Sequence, residues 1–319
     1  MGFNLEGNSL MAEHSLSAAA SPSTQPSTIF RGPNGIRAGW RVLIFLALVC
    51  GVVFALFVGL KIFTHGQAQV GVQVSGATPL GLALLEGPLL CFTAIPALIM
   101  ARIERRSWGQ YGLPARTAFG KNFWIGGVAG FVAISGALLG IFLLHGFRLA
   151  GLAIHGSTIV SSTLAWGATF VLVGLAEECS FRGYLQFTLG EGIGFWFSAI
   201  LLSLLFAFAH SGNPGESKAG LLAIIPFGLL FCLFLRRTGD LWLAVGFHAG
   251  WDWGQTFFYG VPDSGIAAYH NLFNSNFSGP NWLTGGSVGP EASIFTPITL
   301  AIVAIIFVRI CRKPRSGVV

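Results

Sequence analysis

The chain has 319 residues, of which 18 are Lys or Arg and 12 are Asp or Glu, so 9% are charged, against roughly 25% in a soluble domain. Hydrophobic residues make up 53%, with 29 Phe and 9 Trp, and the mean hydropathy is +0.72. These figures exclude a soluble globular enzyme, a disordered chain and a disulfide scaffold, and leave an all-α, polytopic membrane protein. The net charge of +6 does not point to nucleic acid. The cations are not clustered on one polar surface but lie between apolar runs.

Residues 1–30, rich in Ser, Ala and Pro, read as a disordered tail, and 31–319 as the transmembrane domain. A crossing needs about 20 apolar residues. Segments of near that length run over 40–63, 79–101, 122–145, 158–189, 193–212, 219–236, 240–259 and 293–311, predicting eight helices. The fourth is too long for a simple span and is expected to project beyond the bilayer. With eight crossings, every Lys and Arg except Lys61, Arg148 and Lys218 falls on one side, which places both termini in the cytoplasm. The loop over 260–292 has no Lys or Arg and reads as a solvated external loop whose aromatic residues dip into the interface.

Ionisable side chains inside spans are costly and mark function. Glu86, alone among the prolines at 79, 88 and 96, reads as an interfacial group or one hydrogen-bonded within a broken helix. Three other places differ in kind. The fourth segment holds Glu177-Glu178-Cys-Ser-Phe-Arg182, the fifth ends Phe206-Ala-Phe-Ala-His210, and the seventh carries His248-Ala-Gly-Trp-Asp252. Glu178 and Arg182 stand at i, i+4 and can pair, leaving Glu177 to point elsewhere as a base. His248 and Asp252 share a face in the same way. Gly246, Gly250 and Gly254 lie roughly opposite, at a spacing that admits a second helix closely. At about 1.5 Å per residue the three motifs reach overlapping depths, so they are expected to meet in one buried polar cavity opening toward the cytoplasm. There a carboxylate can activate water, one histidine can hold that water, and another can donate to an oxyanion.

Glu-Glu-x-x-x-Arg, then Phe-x-x-x-His, then His-x-x-x-Asp, each on its own helix, resembles the CPBP family of CAAX-processing and bacteriocin-processing intramembrane proteases, also called the type II CAAX prenyl endopeptidase or abortive-infection family. The resemblance covers about 165–256 and fits a catalytic core over 158–259. It implies an endopeptidase acting on a membrane-associated protein or peptide, with Glu177 as the base, His210 as its partner, Glu178 and Arg182 as a supporting pair, and His248 with residue 252 as the oxyanion pair. Many relatives have Asn where this chain has Asp252. An ionised Asp cannot donate a hydrogen bond, so Asp252 is either protonated or orients His248.

No cofactor is required on this reading. One alternative is a zinc enzyme using Glu177, Glu178, His210 and His248 around an open position. Others are a non-catalytic scaffold or immunity protein and a proton-coupled transporter. The expected location is a bilayer, with a composition in the style of a bacterial inner membrane.

Overall fold

The computed structural model describes residues 29–32, 35–65 and 77–311. Apart from Ile29 and Phe30, the expected tail lies outside them, as do the cations beyond Cys311. A small hairpin of β1 (Arg31–Gly32) and β2 (Gly35–Ile36) leads into α1 (Ala38–Phe63), followed by α2 (Pro79–Ile103) and α3 (Lys121–Leu143). Next come β3 (Phe147–Leu152), α4 (Ser157–Arg182), α5 (Tyr184–Ile193), α6 (Phe195–Ala209), α7 (Lys218–Thr238) and α8 (Trp242–Asp252). The chain closes with β4 (Phe273–Phe277), the single turn α9 (Asn281–Thr284) and α10 (Phe295–Ile310). Among the described residues, six helical segments are long and apolar enough to cross a membrane, and α10 is a shorter apolar helix.

Three predicted segments take a different form. The fourth does not run on as a straight projection. It breaks at Gly183, where a Cβ would stand 2.4 Å from the Cys179 carbonyl oxygen, and α5 carries the chain on to Ile193. The seventh is an 11-residue α-helix that widens into a π-helical turn over Trp253–Phe258, a form frequent at functional sites. The 260–292 loop is not simply solvated: β4 pairs antiparallel with β3.

Local signals explain the helix ends. Thr78 accepts a hydrogen bond from Gly81 N with Pro79 in the first turn, and Ser217 caps α7 through Gly220 N. Residue α7 C′, Gly239, adopts φ 82°, a conformation glycine reaches without strain.

The helix ends gather into two poles. At the first, Arg41 pairs with both Glu104 and Glu191, Arg106 Nη1 reaches Glu191 at 2.5 Å, and Arg237 donates to the Cys311 carbonyl at 2.6 Å. At the second, Ala77 bridges to Ala268, β3 meets β4, and Asn213 Nδ2 donates to Ser264 O at 2.9 Å. Between them, α3 and α8 touch backbone to backbone. A Cβ on Gly246 would lie 2.0 Å from Phe123 O, one on Gly250 2.0 Å from Gly127 O, and one on Gly130 2.1 Å from Phe247 O. This contact sets where α8 presents His248.

Candidate active site

Glu178 and Arg182 are both fully buried on α4 and pair at 3.2 Å. The guanidinium lies 4.1 Å from the centre of the Phe206 ring, a cation–π contact in an apolar setting. Gly228 on α7 makes the room, since a Cβ there would fall 2.7 Å from Arg182 Nη2. The i, i+4 geometry thus holds Glu178 in place, and Glu177, a helical step away, turns into a cavity.

His248 joins the motifs. Its Nδ1 stands 3.2 Å from Glu178 Oε1, and its Nε2 stands 3.5 Å from both Glu177 Oε2 and Asp252 Oδ2. Glu178, paired with Arg182, accepts here, so Nδ1 is the donor. His210, at the end of α6, has Nδ1 2.9 Å from the Phe206 carbonyl, which makes Nδ1 the donor. Its Nε2 then faces Glu177 Oε1 across 3.9 Å, too far for a direct hydrogen bond and suited to a bridging water. The structure therefore brings Glu177, Glu178, Arg182, His210, His248 and Asp252 into one continuous array.

The cavity measures about 290 Å³ and is lined by Glu177, His210, His248 and Asp252 together with aromatic residues that include Phe170, Phe206, Phe227 and Phe231. Asn213, Ser264 and Ile266 also line it, so it lies at the second pole. From the first pole it stands the length of α6 away, 15 residues or about 22 Å. A cavity opening toward the arginine-rich side does not fit this placement: no residue of α5 lines it, and from α6 only Phe206 and Ala209, at the end away from that side, do.

Three acids that the sequence reading left aside also line the cavity. Glu86 on α2 is not an interfacial group: its Oε2 is buried without a hydrogen-bond partner, and it interacts electrostatically with Glu177 and His248. Its signal was its isolation in an apolar helix. Asp263 and Glu291, the only acids in 260–292, come from the loop read as external. Burial, reinforced by Asp263, pushes Glu291 up to about 8. Burial likewise lifts Asp263 to about 6, with a hydrogen bond from Thr256 opposing the shift.

The zinc alternative can be tested against the donor geometry. Glu178 is already engaged by Arg182 and His248, and Glu177, Glu178, His210 and His248 do not form a set with one ligand atom apiece within 4.8 Å. The group that does, among the described residues, is Asp252, Asp263 and Glu291. That is an all-oxygen set, unlike the nitrogen-rich and sulfur-rich sites typical of zinc.

Residues 159–254 match the model of a protein family described as "Type II CAAX prenyl endopeptidase Rce1-like". The chain carries a domain of that family. A CAAX endopeptidase domain implies a peptidase, and its place among several apolar helices makes this an integral, multi-pass membrane protein. The matched segment holds all six motif residues and stops short of Asp263 and Glu291. A comparison with curated proteins found no match.

Proposed function

We propose that the protein is an intramembrane endopeptidase that hydrolyses a peptide bond in a membrane-associated protein or peptide, with Glu177 as general base. The observation that carries this reading is the pair of acceptors, Glu177 Oε1 and His210 Nε2, facing each other across 3.9 Å in a cavity. A water there donates one hydrogen bond to each and turns its lone pair toward a substrate carbonyl. As its oxygen bonds to the carbonyl carbon, Glu177 takes a proton, and the oxyanion accepts from Nε2–H of His248, which in this step carries a proton on both ring nitrogens. Asp252, at 3.5 Å from that nitrogen, orients it and balances its charge. Glu177 then returns the proton to the leaving amine as the C–N bond breaks, so that one water is consumed per bond. Glu178 and Arg182 keep His248 in place. Activity is expected to resist chelators.

The charge distribution supports eight crossings with the arginine-rich pole and both termini in the cytoplasm. The cavity, at the other pole, then takes its substrate from the opposite face.

The test is cleavage of membrane-tethered reporter peptides in proteoliposomes. Glu177→Gln and His210→Ala are each expected to lower kcat by about 10²–10⁴-fold without a change in thermal stability. Cleavage that survives both substitutions rejects this assignment.

A further inference from the structure

Building on the peptidase reading, we propose that Asp252, Asp263 and Glu291 form a subsite that receives a cationic substrate side chain, Lys or Arg, within two residues of the scissile bond. One carboxylate oxygen from each of the three lies within 4.8 Å of the others. The hydrogen bonds they accept leave free oxygens. Glu291 takes both of its bonds, from Ser264 N at 2.9 Å and Ser264 Oγ at 2.8 Å, on Oε2, although the residue is only 6% exposed. Asp263 is bonded through Oδ2 to Thr256 Oγ1 at 2.8 Å, and Asp252, 5% exposed, meets His248 only through Oδ2. Among the described residues, none donates a hydrogen bond to Glu291 Oε1, Asp263 Oδ1 or Asp252 Oδ1.

Independent observations across the cavity point the same way. The buried Oε2 of Glu86, on α2, also lacks a partner. Five carboxylates line the space against two histidines, and no described Lys or Arg does. Arg182 is committed to Glu178. Burial favours the protonated form of Asp263 and Glu291, and a cation entering from outside the array would release those protons and pair with the carboxylates.

Shape decides in favour of a side chain over a bare ion. The cavity that holds the acids is also lined by Phe170, Phe206, Phe227 and Phe231, and a Lys or Arg combines an apolar stem for those rings with a cationic head for the carboxylates. The space, about 290 Å³, is large for an ion alone. Position relates the subsite to the chemistry: His248 Nε2 lies 3.5 Å from Glu177 and 3.5 Å from Asp252. The acids therefore begin about two residues from the base, at roughly 3.3–3.6 Å per extended residue.

The test uses the full chain in nanodiscs, with Glu177→Ala to prevent turnover. Hexapeptides carrying Lys or norleucine at each position in turn are compared by fluorescence anisotropy. At least one Lys peptide is expected to bind roughly tenfold tighter than its norleucine counterpart. Combining Asp263→Asn with Glu291→Gln should bring that ratio to near one while leaving binding of the norleucine peptides unchanged. A ratio near one at every position, or a ratio unaffected by the double substitution, overturns the proposal. So does calorimetric binding of Ca²⁺ or Mg²⁺ that depends on the two acids while the peptides show no discrimination. Discrimination in a wild-type chain that cleaves no peptide would keep the subsite and reject the peptidase reading.

Discussion

Arg182 is a full positive charge at zero exposure, and its partner Glu178 is equally buried. Removing one member of such a pair leaves the other uncompensated, at a cost of about 3–5 kcal/mol. Arg182→Met is therefore expected to lower the midpoint of thermal unfolding in detergent sharply, and Arg182→Met with Glu178→Leu to recover much of the loss. Glu291 makes a different prediction. Its carboxyl is ordinarily half-ionised at 4.5 and in the folded protein at about 8, with Asp263, Asp252, Ser264 and His210 as its polar neighbours. Between those values the folded chain holds a proton that the unfolded chain releases, so this group makes stability fall as pH rises from about 4.5 to about 8. Glu291→Gln keeps an acceptor for Ser264 and removes that slope. Its melting temperature should exceed wild type at pH 8 and equal it near pH 4.5. At this scale the i, i+4 pairs were legible because they are local. Asp263 and Glu291 were not, since only the return of a long loop over the cavity gives them a role.

The contact between α3 and α8 shows the same division one level up. Gly246, Gly250 and Gly254 announce a helix that can be approached closely, but nothing in their spacing names the partner, which proves to be Gly126, Gly127 and Gly130 on α3. Gly250→Ala places a methyl group 2.0 Å from Gly127 O, and backbone cannot move aside as a side chain can. The expected cost is about 1–3 kcal/mol, together with a loss of peptidase activity larger than the stability change accounts for, because α8 would shift His248 away from Glu177. Measuring kcat and unfolding on the same preparation separates the two effects. Gly183 was equally opaque. An apolar run predicts a span, whereas the turn that lets α5 and α6 return His210 to Glu177 depends on a carbonyl four residues earlier.

Across the whole molecule, apolar run lengths locate most of the helices, and the segregation of Lys and Arg carries over to the poles: Arg41, Arg106 and Arg237 meet at one of them. The side on which the cavity lies was not accessible in this way, because it depends on how far α4 and α6 extend past the site. The orientation has a direct check in a cysteine-free background. Asn276→Cys in β4 is expected to react with an impermeant maleimide in intact cells, and Thr117→Cys, between α2 and α3, only after permeabilisation. The reverse pattern would reject the orientation.

Helix α1 has a mechanical consequence for the protein in its bilayer. Its buried residues are Arg41 and Phe45 alone, both within its first two turns, and Arg41 is gripped by Glu104 and Glu191. It is thus fixed like a cantilever, clamped at one end and free to lean along the rest of its length. Thinning or thickening of the surrounding lipid can be met by tilting this outer post, while the glycine-locked pair α3 and α8 keeps its spacing and Glu177, His210 and His248 keep their registry.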